Sequence, residues 1–210
     1  DTIKVRDSMS GDISIKCEKS IGCSPRENIV YKIAEEFFKC TGIINPGISV
    51  EIEKNIPVCA GLAGGSSDGA AVLRCLDRIF SAGLSEISMQ DIGAKIGADI
   101  PFCISGGTAR AYGTGTKIDR VKSLLGYAIV IVKPYCDVST KKAYEMYDIL
   151  GTKTSKSIDN MIDLINKQDV KGTASYLFNE FEELIDNNEI KKVKKIIKKS
   201  NPLGVCMSGS

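Results

Sequence analysis

The sequence has no histidine and no tryptophan in 210 residues. Without histidine, the chain cannot hold a Ser-His-Asp triad, a Cys-His dyad, a histidine zinc site or a histidine general base. It also has no Cys-x-x-Cys pair, although it has eight cysteines: Cys17, Cys23, Cys40, Cys59, Cys75, Cys103, Cys136 and Cys206. A zinc knuckle or thioredoxin-type centre is therefore not encoded. The cysteines read instead as buried, reduced thiols of a cytoplasmic protein, several of them replacing an apolar residue in an apolar pattern. There is no long hydrophobic run. The longest, Tyr127 to Val132, falls far short of the roughly 20 residues that a membrane helix needs. Asp1 opens a polar stretch, which does not read as a secretory leader. Nor is there an excess of charge of one sign: 28 Lys plus Arg against 26 Asp plus Glu leaves +2. That balance argues for neither nucleic acid nor an anionic membrane as partner.

The composition that remains is 43 % hydrophobic and 26 % charged, which decides for a globular chain over a disordered one. The length allows one large domain or two small ones. Ile13, Ile15 and Cys17 alternate with polar residues and predict a strand. Ile29, Ile33, Ala34 and Phe37 recur at helical spacing and predict an amphipathic helix over 27–40. Ile48, Val50 and Ile52 alternate again, leading to Pro57. After a glycine-rich turn, a helix is predicted with Ala71, Val72, Cys75, Leu76, Ile79 and Phe80 on one face. A short helix over 88–96 takes Ser88 as its cap, with Asp91 three residues on. Thr108 to Tyr112 reads as a strand, and the polar stretch Ile118 to Ser123 as a boundary. Beyond it come a strand (Tyr127 to Val132), helices over 140–150, 158–165 and 174–185, a lysine-rich helix (Glu189 to Lys199) and a closing strand (Leu203 to Met207). Strands and helices interleave without a strict βαβα repeat, which favours an α+β fold. In the lysine helix, Ile190, Val193, Ile196 and Ile197 form one stripe to be buried, with the lysines as its solvated face.

Three segments carry chemistry. The first is Pro57-Val58-Cys59-Ala60-Gly61-Leu62-Ala63-Gly64-Gly65-Ser66-Ser67, between a strand and a helix. Its glycines permit positive φ and close backbone approach. Successive N–H groups in such a turn form a nest for anions, and the helix adds unpaired N–H groups and its positive dipole end. Two hydroxyls stand ready for phosphate or a Mg²⁺ shell. The P-loop lysine is missing, and Cys59 stands where GxGxxG needs its first glycine. The plainer alternative is a turn rich in glycine for packing alone. The second segment is Gly97-Ala98-Asp99-Ile100-Pro101-Phe102. A carboxylate among apolar neighbours is a candidate general base or hydroxyl-orienting group for phosphoryl transfer; alternatively it caps a short turn before Pro101. The third is Leu203 to Ser210, where an apolar strand running into Ser-Gly-Ser would bring a second small-residue loop to the same phosphates, or form a plain tail.

These motifs, in this order, resemble the GHMP kinase superfamily (galactose, homoserine, mevalonate and phosphomevalonate kinases). Asn55-Ile-Pro57, Gly61 to Asp68, Gly97 to Phe102 and Gly106-Gly-Thr-Ala109 are closest in wording to its 4-diphosphocytidyl-2-C-methyl-D-erythritol kinase family. The resemblance implies a GHMP two-domain architecture. An ATP-binding domain like domain 2 of ribosomal protein S5 would span 1–119, and a ferredoxin-like domain 120–210. It puts the ATP loop on Pro57 to Ser67, the catalytic aspartate at Asp99, and Mg²⁺ on the phosphates, with metal ligands unassigned. Its acceptor would be a cytidine-diphosphate-linked methylerythritol, with Tyr144 and Thr140 in the segment that binds it. The alternatives are another GHMP kinase or a nucleotide-binding module without catalysis. The family's Pro-Ala-Lys-Ile-Asn strand and its Tyr-His pair have no counterpart, and Asp1 to Val5 resembles a point well inside the family chain. The expectation is a fragment of a kinase with weak turnover of its own.

Overall fold

Alternating Ile48, Val50 and Ile52 build the central strand of a three-stranded sheet, each of the three buried. In the computed structural model, which describes residues 1–18, 24–136, 138–151, 156–185 and 187–209, this sheet belongs to the first of two units. The first unit comprises Asp1–Val58 and Ala63–Arg120, the second Cys59–Leu62 and Val121–Ser210.

In the first unit, β1 (Thr2–Asp7), β2 (Ile13–Cys17) and β3 (Ile48–Glu53) lie in the order β1-β3-β2. β1 is antiparallel to β3, pairing Val5 with Val50; β2 is parallel to it, pairing Ile15 with Val50. The parallel pair requires a crossover, supplied by α1 (Ile29–Thr41). Asn28 caps α1 by accepting from the Val30 N–H at 2.9 Å, and Gly42 ends it at φ +71°. β1 was not among the predicted strands, although Ile3 and Val5 carry its alternation.

Helices α2 (Gly64–Phe80), α3 (Glu86–Ala94) and α4 (Ile100–Ser105) complete the core. Phe37, Ile33, Leu73 and Leu76 are fully buried, each stabilising the fold by about 1.5–3 kcal/mol. Phe38 meets Phe37 and Phe80 edge to face, with ring centroids 5.3 Å apart in both pairs. The buried face of α2 includes Leu73, while Ile79, placed on it by the spacing, is exposed. Ser85, not Ser88, caps α3: its hydroxyl accepts from the Ser88 N–H. The hairpin β4 (Thr108–Tyr112) and β5 (Lys117–Val121) follows, so the stretch read as a boundary begins as a strand.

In the second unit, α5 (Thr140–Leu150), α6 (Ile158–Asn166), α7 (Val170–Tyr176), α8 (Glu180–Leu184) and α9 (Asn188–Lys198) follow one another. The helix predicted over 174–185 is broken, α7 ending before Leu177 and α8 starting after Asn179. Tyr127–Val132 and Leu203–Met207 form no hydrogen-bonded strand with any described residue, and Val130 is 85 % exposed. A strand needs a partner ladder as well as apolar residues, and the described residues of this unit provide none. The apolar stripe of α9 is only half covered, with Ile196 64 % exposed. None of the described cysteines is fully buried: Cys40 and Cys59 are exposed, and the rest are half-buried. Cys23 lies outside the described residues. No helix among the described residues is long and apolar enough to cross a membrane.

Lys54, just past β3, is 7 % exposed and lies between two carboxylates. Its Nζ is 2.5 Å from Asp1 Oδ2 and 2.8 Å from Asp68 Oδ2 on α2. The other oxygen of Asp1 accepts from the N–H groups of Asn55 and Ile56 at 2.6 and 2.7 Å. Removing one partner of a buried pair strands the remaining charge. We therefore expect Lys54→Met to lower the unfolding free energy by about 3–5 kcal/mol in a denaturant titration; a loss below about 1 kcal/mol would show the pair to be dispensable.

Glu36 on α1 accepts from Lys95 at 2.7 Å and from the Cys40 thiol at 3.2 Å. These bonds, that from Lys95 foremost, hold its carboxyl down at about 2, from 4.5. A depressed carboxyl stabilises the fold above its unfolded pKa and loses that effect as pH falls through the folded one. The stability difference between the native chain and Glu36→Gln should be full at neutral pH, shrink between pH 4.5 and 2, and vanish below. A difference that does not change across that window would refute the assignment.

Candidate functional site

β3 passes into α2 through a loop whose backbone alternates in hand. Cys59, Gly61 and Ala63 have φ of +54°, +65° and +50°, while Ala60 and Leu62 between them stay on the ordinary side. Left-handed backbone costs a non-glycine residue about 1–2 kcal/mol, so Cys59 and Ala63 are held there against their preference. Backbone in which right-handed and left-handed residues alternate is the kind that forms anion nests. Ala63 takes the N-cap position of α2, and no side chain caps it. The first-turn N–H groups of a helix have no intrahelical acceptor, so this 17-residue helix presents them, with its positive dipole end, at Gly64, Gly65 and Ser66. The Ser67 hydroxyl donates back to the Gly64 carbonyl at 2.8 Å. Gly64 is needed for space: a Cβ there would lie 3.0 Å from Ile56 Cγ2 and 3.4 Å from Lys54 Nζ. The ion pair described above thus lies directly beneath the first residue of α2.

Asp99 occupies the N-cap position of α4, but its side chain makes no capping bond and is exposed. The apolar setting expected from its neighbours is therefore not where the carboxylate points; Ile100 and Pro101 turn inward and Asp99 outward. Gly93 makes room for Ile100. A Cβ on Gly93 would lie 2.5 Å from its Cγ2, and one on Gly97 or Gly69 about 3.4–3.5 Å from its Cδ1. The guanidinium of Arg74 on α2 donates to the Ile104 carbonyl at the far end of α4. Asp99 thus carries a carboxylate with no side-chain partner among the described residues, on a backbone fixed by its neighbours. Its charge, after burial, helps to raise the Cys103 thiol above its usual range.

In the second unit the middle of the glycine loop meets the end of the chain. The Ser208 hydroxyl donates to the Gly61 carbonyl at 2.8 Å, and a Cβ on Gly61 would collide with the Ser208 carbonyl oxygen. Ser210, the last residue of the predicted second loop, lies outside the described residues. Tyr144 on α5 is 55 % exposed and packs its ring edge to face on Phe181 at 4.9 Å; Thr140 opens the same helix and is exposed. Among the described residues no three His, Cys, Asp or Glu side chains group closely enough to hold a metal ion. The sequence reading assigned no role to Lys54, Asp68 or Asn179. A lysine closing an alternating apolar strand beside a glycine turn was the available signal for the first; the others meet partners too remote in sequence to leave one.

Residues 28–107 match the GHMP kinases N terminal domain family. Curated relatives include 4-diphosphocytidyl-2-C-methyl-D-erythritol kinases from Clostridium beijerinckii, 38 % identical over 95 % of this chain and 71 % of that protein, and from Caldicellulosiruptor bescii, 45 % identical over 80 % and 59 %. A third, from Clostridioides difficile, is 38 % identical over all of this chain and 72 % of its own length. The fold matches a crystal structure of 4-(cytidine 5'-diphospho)-2C-methyl-D-erythritol kinase with a TM-score of 0.73 at 24 % identity, covering 99 % of this chain and 72 % of that one. It also matches homoserine kinase from Cytophaga hutchinsonii with a TM-score of 0.71 at 16 % identity, covering 99 % and 72 %. A glycine-serine loop opening a helix, an aspartate heading a later helix and identity sustained across the chain converge: the chain belongs to the 4-diphosphocytidyl-2-C-methyl-D-erythritol kinase family of GHMP kinases.

Proposed function

We propose that the chain transfers the γ-phosphoryl group of ATP to the 2-hydroxyl of 4-diphosphocytidyl-2-C-methyl-D-erythritol, a step of non-mevalonate isoprenoid synthesis. One observation carries the ATP half of this reading: the alternating-hand loop at Cys59, Gly61 and Ala63, set at the uncapped head of α2. That arrangement suits a polyphosphate, because alternating-hand backbone forms anion nests and an uncapped helix head offers N–H groups and its positive dipole end. The acceptor half rests on the relatives, all named for that substrate and 36–45 % identical.

Pro57 to Ser67 would hold the phosphates. Mg²⁺ would arrive with ATP, bound chiefly through the phosphates and water, as this ion commonly is; bound there it would neutralise charge on the transferring group. Asp99 would accept the hydroxyl proton as the alcohol oxygen bonds to the γ-phosphorus and the bond to the departing ADP oxygen breaks. Its exposed carboxylate, unused as a cap, leaves both oxygens available. Tyr144 offers an aromatic face for the cytosine and Thr140 a hydroxyl nearby. The site would be cytoplasmic, where ATP is supplied.

Asp99→Asn tests the assignment. ATP affinity should stay within about twofold, while phosphorylation of diphosphocytidyl-methylerythritol falls about 100-fold or more, the usual contribution of a positioned base. Unchanged turnover would remove Asp99 from the chemistry. ATP binding without turnover in the unsubstituted full protein would support a nucleotide-binding module instead.

A further inference from the structure

Asn179 uses both ends of its side chain. Its Oδ1 accepts from the Phe181 N–H at 3.0 Å and caps α8. Its Nδ2 donates to two carbonyls, Met207 O at 3.0 Å and Gly209 O at 2.6 Å. These are the residues on either side of Ser208, whose hydroxyl donates to the Gly61 carbonyl. Glu182, one turn along α8, accepts from the Met207 N–H at 3.2 Å and pairs with Lys194 of α9. Upstream, Gly204 lies so close to the Ala174 carbonyl of α7 that a Cβ would collide with it. The 204–209 segment is thus fastened to α7 and α8, and through the Ser208 hydroxyl to the glycine loop.

We propose that Asn179 is a positioning residue for ATP binding. By bridging the carbonyls of Met207 and Gly209, it fixes the turn that presents Ser208 to Gly61 and so holds Gly61 at its left-handed φ. Asn179 touches no substrate; it acts through the Met207–Gly209 turn. The inference deepens the preceding section and rests on its reading of Pro57 to Ser67 as the phosphate loop. Contact with the carbonyls on both sides of one residue makes the control specific. A single bond would leave the turn free to rotate about it, whereas two fix its orientation.

The cap and the bridge can be separated. Serine is a good N-cap but too short to span both carbonyls, so Asn179→Ser keeps the helix start and removes the bridge. Three measurements decide the matter: thermal unfolding, calorimetric titration with ATP, and hydrogen exchange of the amides at 59–65. Asn179→Ser should unfold within about 2 °C of the native chain, yet bind ATP about tenfold more weakly, the scale set by two lost hydrogen bonds. It should also exchange faster at 59–65. Ser208→Ala should weaken ATP binding likewise. The double variant should be no worse than the weaker single one, because both act through one contact. Native ATP affinity and exchange in Asn179→Ser would overturn the proposal. So would a fall in unfolding temperature in step with the lost affinity, which marks a purely structural residue. If the native chain binds no ATP, the phosphate-loop reading fails and takes the ATP role of Asn179 with it. The exchange measurement then decides the contact alone, unchanged rates overturning it.

Discussion

A lysine buried between two aspartates fixes how the head of α2 sits against the end of β3. Lys54 follows the central strand; Asp68 lies in the second turn of α2. Such a pair gains little net stability over an apolar contact of the same volume, because both charges give up water. It does have direction. Hydrophobic contacts between β3 and α2 would tolerate sliding by a fraction of a turn, whereas an ammonium shared between Asp1 and Asp68 would not. The head of α2 is therefore held where Gly64 rests against Ile56, and the strained residues Cys59 and Ala63 are the cost of joining strand to helix at that distance.

The same economy governs Asp99. Its own side chain makes no capping bond, and its position comes from Ile100, lodged among Gly69, Gly93 and Gly97. The base role proposed for Asp99 requires freedom at the carboxylate oxygens and none at the backbone. The two requirements fall on adjacent residues here, one buried and one exposed. Arg74 of α2 closes the arrangement by holding the far end of α4.

Much of the first unit could be read along the chain. Period-two alternation located β2 and β3, period 3.6 located α1 and α2, and the glycine-serine segment fell, as its sequence predicts, between a strand and a helix. Local patterns could do this because each element buries one face against a neighbour. The failures have a common cause. Tyr127 to Val132 has the composition of a strand, but composition does not supply the partner ladder that would make it one. The helix over 174–185 reads as continuous because nothing local announces that Asn179 serves α8 and the 207–209 turn at once. Lys54 and Asp68 are 14 residues apart on different kinds of element, a separation that no helical or strand period connects. For Asp99 the local pattern predicted burial, and the backbone turns the carboxylate outward.

The central claim is that this backbone serves one phosphoryl transfer to one alcohol. The most direct measurement is a competition among acceptors. The protein is given ATP together with diphosphocytidyl-methylerythritol, mevalonate, homoserine and galactose, and the phosphorylated products are resolved by mass. The account predicts one product, the phosphorylated cytidine compound, with ADP formed in equal amount. A different phosphorylated alcohol would keep the fold and the ATP loop and overturn the substrate; ADP release without any phosphorylated acceptor would contradict the assignment of a kinase.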